Sequence, residues 1–326
     1  MPAVEPQDRP LSVAALTTRG RARRMLLVVN PHAAGMTAGA RELVLEALRS
    51  RYHVETVDTQ RKGHAIELCR DAATDGFDVV VTFGGDGTVN EAANGLAGTA
   101  TPLTPLPGGS ANVFARILGI PNDVVDATQR LLRAADDWRP RRVDLARAND
   151  RWFTFSAGVG LDASVVKRVD RRRDLKARFG PWYFTQSALA TFIRRYVVRP
   201  PRLEVSAAGR THTGVTAMVQ NAHPYTYFGR RPIELAEGAA LDSADLSAVL
   251  LTRAHPVDMP TVIWRAFSSR RRIVDHRRVV HLDGVPDVRI RSLDGRPVPL
   301  QVDGDHIGDE RDVAFSVAPA ALTVIA

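Results

Sequence analysis

The stretch DVVVTFGGDGT, residues Asp78–Thr88, decides the fold of the N-terminal half of the chain. Its first six residues, mostly β-branched, predict a buried strand that ends abruptly at the glycines. A helical segment, Thr88–Leu96, follows directly. Helix N-termini carry unpaired N–H groups and a partial positive charge, and glycine lets a phosphate approach the backbone closely. The loop Gly84–Gly87 therefore predicts a phosphate-binding site.

The same alternation of strand and helix extends on both sides of this stretch. Further predicted strands are Met25–Val29, Val54–Val57 and Leu103–Leu106, and further predicted helices are Ala40–Leu48, Ala65–Ala73 and Ala111–Leu118. A second glycine loop, Pro107–Ser110, again joins a strand to a helix. This order predicts an N-terminal α/β domain with an open parallel sheet over residues 25–140. Ligands bind such sheets at the carboxyl ends of the strands, where both loops lie.

The pattern changes after Pro140. Residues 141–326 contain many short strand-like runs separated by turns, which predicts a β-rich domain, a sandwich or a barrel. Two helical stretches, Leu161–Tyr196 and Val257–Phe267, interrupt it. Residues 1–24 are rich in proline and arginine and are interpreted as a flexible tail.

Composition limits the classes of protein that remain. The 326 residues are 44% hydrophobic, so two domains with sizeable cores are expected. The single cysteine, Cys69, excludes an intramolecular disulfide and a cysteine-rich zinc site, and it fits a reducing compartment. No apolar run reaches the roughly eighteen residues of a membrane span.

The positive charge is concentrated in one segment. Residues 167–202 carry eleven Lys or Arg and two Asp, whereas the whole chain has a net charge of +8. Four aromatic residues follow the first cluster of basic residues in this segment: Phe179, Trp182, Tyr183 and Phe184. Basic residues beside aromatics favour contact with an anionic membrane surface. A solvated helix face with its aromatics in the core is the alternative interpretation.

The glycine loops do not match two common nucleotide-binding motifs. No lysine follows either loop, which excludes a P-loop, and G-x-G-x-x-G is absent from the first strand–helix turn. Asp86 is unusual because its carboxylate would repel a phosphate. It could hold a divalent cation, a ribose or the loop itself. The alternative is a tight turn with Asp86 as an N-cap.

Taken in order, five motifs resemble the diacylglycerol kinase catalytic-domain family, which includes bacterial diacylglycerol kinases, sphingosine kinases and ceramide kinase. The motifs are Asn30-Pro31, Thr59 before Gly63-His64-Ala65, Gly84–Glu91, Pro107–Asn112 and Gln301–Asp305. The resemblance covers residue 25 to the C-terminus. It implies an ATP-binding α/β domain, a C-terminal β-sandwich and an active site in the cleft between them.

The resemblance also implies roles for individual residues. Those expected to bind ATP are Asn30, Thr59, Gly84, Gly85, Asp86, Gly87, Thr88, Gly108, Gly109, Ser110 and Asn112. Asp303 stands at the position of the family's general base, and Asp305 replaces the glutamate of its Asp-Gly-Glu motif. Phosphoryl transfer needs such a base together with Mg²⁺. The alternative for Asp303 is a turn residue before Gly304.

Some positions depart from the family pattern and leave the metal placement open. Val113 stands where bacterial relatives commonly have an aspartate of a metal-bound water network. Asp144 matches a second acid of that network, and Arg116 is expected to pair with it. Asp242 is a candidate for a structural Mg²⁺, with a plain turn as the alternative. Asp86, Asp144 and Asp242 are thus the candidate metal ligands.

The expected function is an ATP- and Mg²⁺-dependent lipid kinase that phosphorylates diacylglycerol, in the cytoplasm at the inner face of the membrane. A sphingoid base or another lipid alcohol is an alternative substrate. Other candidates are an NAD kinase, which shares only the third-strand loop, and a lipid- or nucleotide-binding module without catalysis. A nucleic-acid binder would rest on the arginine segment alone, and no nucleic-acid partner is expected.

Overall fold

The computed structural model describes residues 22–160, 163–164, 200–236, 238–268 and 270–326. Nearly all of the predicted helix at 161–196 and of the basic segment 167–202 lies outside these residues, as does most of the predicted tail. The last two residues assigned to the tail are part of the fold. Arg23 donates to the Ala135 carbonyl (2.9 Å) and lies over the Trp138 ring, and Arg24 begins the first strand.

The N-terminal half alternates strands and helices as the sequence predicts. Its elements are β1 (Arg24–Val29), α1 (Ala38–Arg49), β2 (His53–Asp58), α2 (His64–Thr74), β3 (Val79–Gly84), α3 (Asp86–Leu96), β4 (Leu103–Pro107), α4 (Val113–Ile117) and α5 (Val124–Ala134). Strands β1 and β3 are almost completely buried, as expected of central parallel strands covered on both faces. The sequence analysis did not identify α5, which Asp123 caps with its side chain.

In the described residues, the regular structure of the C-terminal half is mainly strands. They are β5 (Arg141–Ala148), β6 (Arg151–Phe153), β7 (Ser156–Val159), β8 (Leu203–Ala207), β9 (Arg210–Gly214), β10 (Thr216–Gln220), β11 (Thr226–Phe228), β12 (Arg231–Ile233), β13 (Leu246–Leu251), β14 (Val279–Val285), β15 (Asp287–Ser292), β16 (Val298–Val302), β17 (Asp305–Glu310) and β18 (Asp312–Val324). One further helix, α6 (Met259–Ala266), follows β13 and confirms the helix predicted at 257–267.

A single ten-stranded sheet runs through both halves, in the order β2-β1-β3-β4-β18-β15-β8-β9, with β5 and β6 attached to β18. Strands β1 to β4 are parallel, whereas β18, β15, β8 and β9 pair antiparallel with one another. A second, six-stranded sheet has the order β14-β13-β10-β7-β16-β17.

The two sheets pack face to face over a core that includes Phe153, Phe315 and Leu300. The open parallel sheet and the C-terminal sandwich are thus both confirmed. In the described residues no helix has the length and apolar character needed to cross a membrane.

Strand β18 connects the two halves of the large sheet. Its end pairs in parallel with β4 through Val324 and Leu103, and Thr104 donates to the Ile325 carbonyl (2.8 Å). Earlier residues of β18 pair with β5 and β15 in the sandwich. The carboxyl edge of the parallel strands is therefore held in a fixed position relative to the sandwich.

Candidate active site

The segments that follow β1 to β4 meet at one edge of the parallel sheet. Asn30 follows β1, Thr59 follows β2, and the two glycine loops follow β3 and β4. Backbone hydrogen bonds continue the sheet past the strands: Asn30 N–H donates to the Phe83 carbonyl (3.0 Å) and Thr59 N–H to the Val29 carbonyl (2.8 Å). The structure thus brings these predicted nucleotide-binding segments together along one edge.

The two glycine loops are in backbone contact. A Cβ on Gly109 would lie 2.5 Å from the Gly85 Cα, and one on Gly108 would lie 3.0 Å from the Gly84 nitrogen. Gly35, after β1, also donates its N–H to the Gly108 carbonyl (2.8 Å). Side chains at these glycines would separate the loops, so this side of the site is made of backbone. We call it the glycine wall: Gly84, Gly85, Gly108 and Gly109. Ser110, at the end of the second loop, is exposed.

Helix α3 begins directly at this wall. Its N-cap is Gly85, and no side chain caps its N-terminus. Asp86 is therefore the first residue of the helix rather than its N-cap, which was the alternative interpretation from the sequence. Uncapped N–H groups next to glycine backbone form a surface suited to a phosphate.

Asp86 binds the neighbouring helix. Its Oδ1 accepts from the Phe114 N–H in α4 (3.2 Å), and the side chain stays partly exposed. Burial raises the pKa of Asp86 from 3.8 to about 7, the Phe114 N–H opposes this rise, and the nearby Asp303 and Asp305 carboxylates add to it. Three acids therefore lie close enough to interact. Such a cluster favours a bound proton or a cation.

Asn30 and Thr88 link the segment after β1 to the first turn of α3. The Asn30 Nδ2 donates to the Thr88 hydroxyl (3.1 Å), and the Asn30 Oδ1 accepts from the His32 N–H (3.0 Å). A Cβ on Gly84 would lie 2.7 Å from the Thr88 hydroxyl oxygen. Thr88 is buried, so its side chain fixes the loop conformation.

Asn112 shapes the second glycine loop from inside. Its backbone is left-handed (φ 49°), and its side chain both accepts from the Gly109 N–H (2.8 Å) and donates to the Gly109 carbonyl (3.0 Å). The adjacent Val113 side chain is buried in the core. Its contacts show that Asn112 holds the loop, and its expected contact with ATP stays a prediction.

Asp303 is buried, with 4% of its surface exposed, in the turn between β16 and β17. Asp303 and Gly304 both have positive φ, 47° and 83°, as in a type I′ hairpin turn. The turn was the alternative interpretation of Asp303, and it is present. The carboxylate points into the molecule.

Five donors surround the Asp303 carboxylate. Its Oδ2 accepts from Thr154 N–H (2.8 Å), Thr154 hydroxyl (2.9 Å) and Asn90 Nδ2 (2.8 Å). Its Oδ1 accepts from the N–H groups of Phe155 (3.0 Å) and Ser156 (3.1 Å). Burial raises the pKa of Asp303, while these donors, Thr154 first, oppose the rise. A carboxylate has about four lone-pair sites, so this one is saturated.

Asp305 lies two residues later and faces the glycine wall. A Cβ on Gly87 would lie 2.6 Å from the Asp305 Oδ2, so this carboxylate lies against the first turn of α3. Asp305 is partly exposed. Of the two acids predicted to be catalytic, it is the one at the cleft surface.

Three side chains that the sequence analysis did not assign complete the site. Asn90, one turn after Asp86, bridges α3 to the Asp303 carboxylate and to the Trp152 carbonyl (3.0 Å). Glu91 accepts from the N–H groups of Gly63 (2.7 Å) and Ala65 (3.2 Å) at the start of α2. Arg151 donates to the Asn90 Oδ1 (2.6 Å). Asn90 and Glu91 follow the glycine loop directly, and that position was the available signal.

The candidate metal ligands are not gathered in one place. Asp144 is buried on β5, and its oxygens accept from the N–H groups of Ala244 (2.8 Å) and Ala320 (2.7 Å). Asp242 is exposed, in the turn that contains Ala244. Among the described residues, no group of three or more His, Cys, Asp or Glu side chains is arranged to hold a metal ion.

The expected pairing of Arg116 with Asp144 is wrong. The Arg116 guanidinium donates to the carbonyls of Gly229 (3.0 Å) and Arg230 (3.3 Å) and lies over the Tyr227 ring. The buried Asp144 is satisfied by backbone N–H groups, so it needs no cation. Arg116 instead joins α4 to the β11–β12 hairpin.

Two family models match most of the chain. The diacylglycerol kinase catalytic domain matches residues 24–148, and the YegS C-terminal NAD kinase beta sandwich-like domain matches residues 155–326. A diacylglycerol kinase of Staphylococcus aureus (strain bovine RF122 / ET3-1) is 24% identical over 295 residues, covering 88% of this chain and 87% of the relative. A probable lipid kinase YegS-like of Chromohalobacter salexigens is 37% identical over 130 residues, 39% of this chain and 40% of the relative.

The fold has a match among solved structures. A crystal structure described as a putative diacylglycerol kinase from Bacillus anthracis str. Sterne superimposes with a TM-score of 0.74 at 22% identity, covering 95% of this chain and 97% of the other. The similarity extends over both halves of the molecule.

Proposed function

We propose that this chain, which belongs to the diacylglycerol kinase catalytic-domain family of lipid kinases, transfers the γ-phosphoryl group of ATP to the hydroxyl of diacylglycerol. The observation that carries the proposal is the apposition of the two glycine loops with the Asp303–Asp305 turn across one cleft. The loops offer backbone N–H groups to the phosphates, and the turn offers carboxylates to the acceptor. Phosphoryl transfer requires little more than this positioning and charge stabilisation.

Mg²⁺ fits the side chains at the mouth of this cleft. Asp86 and Asp305 are partly exposed, and the raised pKa of Asp86 reflects burial together with nearby negative charge, which a cation would relieve. Mg²⁺ is usually held by one or two carboxylates and completed by phosphates and water. We assign Asp86 to this role, in place of Asp144 and Asp242. When bound, Mg²⁺ neutralises charge on the phosphates.

We assign the acceptance of the substrate proton to Asp305 and a positioning role to Asp303. A general base needs a lone pair that the attacking hydroxyl can reach. Asp303 is buried and accepts five hydrogen bonds, whereas Asp305 is partly exposed and lies against the first turn of α3, beside the glycine loops. Asp303 then fixes the turn that presents Asp305, and Asn90 ties that turn to α3.

The decisive experiment incubates the pure protein with radiolabelled ATP, Mg²⁺ and mixed micelles of single lipids. The panel contains diacylglycerol, a sphingoid base, ceramide and a monoacylglycerol, with NAD as a separate acceptor. Labelled phosphatidic acid is the expected product. Labelling of a different lipid would reassign the substrate, and labelling of NAD alone would exclude a lipid substrate. Tight ATP binding with no labelled product would indicate a binding module.

The proposed location is the cytoplasmic face of the membrane, because the substrate is lodged in a bilayer. The basic segment 167–202 supports this location through its charge and aromatic content.

Omission of Mg²⁺ from the lipid kinase assay should abolish labelling of the lipid, and its return should restore the labelling. A diacylglycerol kinase activity that survives full chelation would contradict the metal assignment.

A further inference from the structure

A second surface, outside the basic segment, combines exposed apolar side chains with arginine. It is formed by residues 228–231 at the tip of the β11–β12 hairpin and by residues 263–268 and 270–272 on and after α6; we name it the aromatic–arginine surface. Its large apolar side chains are unusually open to solvent: Phe228 at 60%, Trp264 at 56%, Ile263 at 52% and Phe267 at 47%. Apolar side chains gathered in this way mark interaction sites on proteins.

The two parts of the surface are in contact. The rings of Phe228 and Phe267 meet edge to face with centroids 6.3 Å apart. A cavity of about 220 Å³ lies beside them, and its lining includes Arg231, Arg271 and Arg272 together with one acid, Glu234. The hairpin and the helix therefore present one continuous surface.

Folding does not explain the outer face of α6. The inner face already packs in a small core through Met259 and Val262, and Asp258 before the helix is paired with Arg277 (2.8 Å) and Arg278 (3.0 Å). Ile263 and Trp264 are left largely in solvent. Leaving such side chains exposed costs free energy, so a partner that covers them would stabilise the arrangement.

Charge identifies that partner as anionic. Six arginines lie in or beside the aromatic–arginine surface: Arg230, Arg231, Arg265, Arg270, Arg271 and Arg272. Arginine with tryptophan and phenylalanine is the combination that suits the headgroup layer of an anionic bilayer, where the rings insert and the guanidinium groups meet phosphates. Nucleic acid would use the charges but leave most of the apolar area uncovered.

Arg116 ties the surface to the second glycine loop. Arg116, in the helix after the second glycine loop, binds the carbonyls of Gly229 and Arg230 and stacks on Tyr227. The hairpin tip and the nucleotide loops are therefore held at a fixed distance. A bilayer on this surface would lie close to the cleft where the lipid hydroxyl must enter.

We propose that the aromatic–arginine surface docks this protein on anionic phospholipid bilayers, with Phe228, Trp264 and Phe267 inserted between headgroups. This inference rests on the proposed lipid kinase function for its purpose, but the docking itself can be tested without turnover. It differs from the sequence-based expectation, which placed membrane contact in residues 167–202.

The test measures co-sedimentation with vesicles of equal parts phosphatidylcholine and phosphatidylglycerol, and with vesicles of phosphatidylcholine alone. Trp264→Ser with Phe267→Ser should weaken binding to anionic vesicles at least tenfold. Phe228→Ser, on a different element, should weaken it less, and Arg271→Gln with Arg272→Gln should remove the preference for anionic lipid. Leu43→Ser and Leu293→Ser, at exposed apolar positions elsewhere, are the matched controls and should bind as wild type.

Circular dichroism and urea unfolding of each variant show whether it is folded. As an independent readout, vesicles with brominated acyl chains should quench wild-type fluorescence, and Trp264→Phe should lose most of that quenching. Wild-type binding by both the Trp264–Phe267 double variant and Phe228→Ser would overturn the proposal and return the contact to residues 167–202. Displacement of the vesicles by duplex DNA at equal charge would also overturn it.

The outcome for docking is separate from the outcome for catalysis. If the surface variants lose vesicle binding and the wild type phosphorylates no lipid, docking stands and the kinase proposal fails. If the wild type is active, the surface variants should lose activity on vesicle-borne diacylglycerol and keep it on a short-chain, water-dispersed diacylglycerol. Equal activity on both would show that docking on this surface does not serve the reaction.

Discussion

The two walls of the cleft are built from different chemistry. The wall at the edge of the parallel sheet is mostly backbone, because Gly84, Gly85, Gly108 and Gly109 bring two loops into direct contact. The opposite wall is the Asp303–Asp305 turn, where function depends on side-chain carboxylates. Substitutions in the first wall should act by changing shape, and those in the second by changing charge and hydrogen bonding.

The largest effect on stability and turnover is expected for Asp303→Asn, because this substitution changes both the charge and the hydrogen bonding of the turn. Both its oxygens accept from N–H donors, so the NH₂ group of Asp303→Asn must face a donor in either orientation. The free energy of unfolding should fall by about 1–3 kcal/mol, with most turnover lost. Urea unfolding and the lipid kinase assay measure the two. Asp309→Asn removes an exposed carboxylate that pairs with His306 (3.5 Å) on the same hairpin, so it should leave turnover unchanged and have a smaller effect on the free energy of unfolding.

A variant of Asp305 separates chemistry from folding. Asp305→Asn should lower kcat by about 10²–10⁴, the usual contribution of a general base, because its carboxylate lies against the first turn of α3 beside the glycine loops. The free energy of unfolding should fall by less than it does in Asp303→Asn, because Asp305 is partly exposed whereas Asp303 is buried. Turnover should therefore fall, while the affinity for ATP measured by calorimetry should stay close to that of the wild type. Full activity in this variant, with a folded and inactive Asp303→Asn, would return the base to Asp303.

Addition of one methyl group to the glycine wall should weaken its interaction with ATP. Gly109→Ala would place a Cβ 2.5 Å from the Gly85 Cα, so the loops must separate. The KM for ATP should rise about tenfold, with a smaller change in kcat, because a misplacement of about 1 Å is costly in a positioned site. Gly39→Ala, on α1 with no atom within 4 Å of the new Cβ, is the control. An unchanged KM in Gly109→Ala would show that the loops do not hold the nucleotide.

The smallest effect is expected on the pH dependence of stability, through Cys69 on helix α2. Cys69 on α2 packs against Gly95 of α3, and burial raises its pKa from 9.0 to about 12. A raised pKa gives stability that is complete below the unfolded value and is lost as the pH rises through 9 toward 12. Urea unfolding at pH 8 and pH 10 should show the decrease, and Cys69→Ala should reduce it. Native Cys69 should also react slowly with thiol reagents at pH 8.

Much of the fold could be predicted because it depends on local pattern. The run Val79–Phe83 and its glycines predict a central strand and a ligand loop, and the structure has both. The short strand-like runs after Pro140 predict a β-rich domain, a sandwich or a barrel, for the same reason, and the structure has the sandwich. The helix α5 was missed, although Asp123 and the apolar residues that follow carry the usual signals of a helix start.

Long-range contacts could not be predicted in this way. The pairing of Arg116 with Asp144 was inferred from charge, but backbone N–H groups 100 and 176 residues away in the chain satisfy Asp144. The sequence likewise places Asp303 beside Gly304 without showing that Asn90 and Thr154 surround its carboxylate. Which of two neighbouring acids reaches the cleft depends on tertiary structure.

The pairing of Val324 with Leu103 has a consequence for the way this chain folds. The Thr104–Ile325 contact beside it joins residues 221 positions apart, so β4 is an open sheet edge until the far end of the chain arrives. Unpaired edges of this kind are templates for aggregation, and contacts of such long range close slowly. During synthesis, the β4 edge of the N-terminal half therefore stays unpaired until β18 and Ile325 have been made.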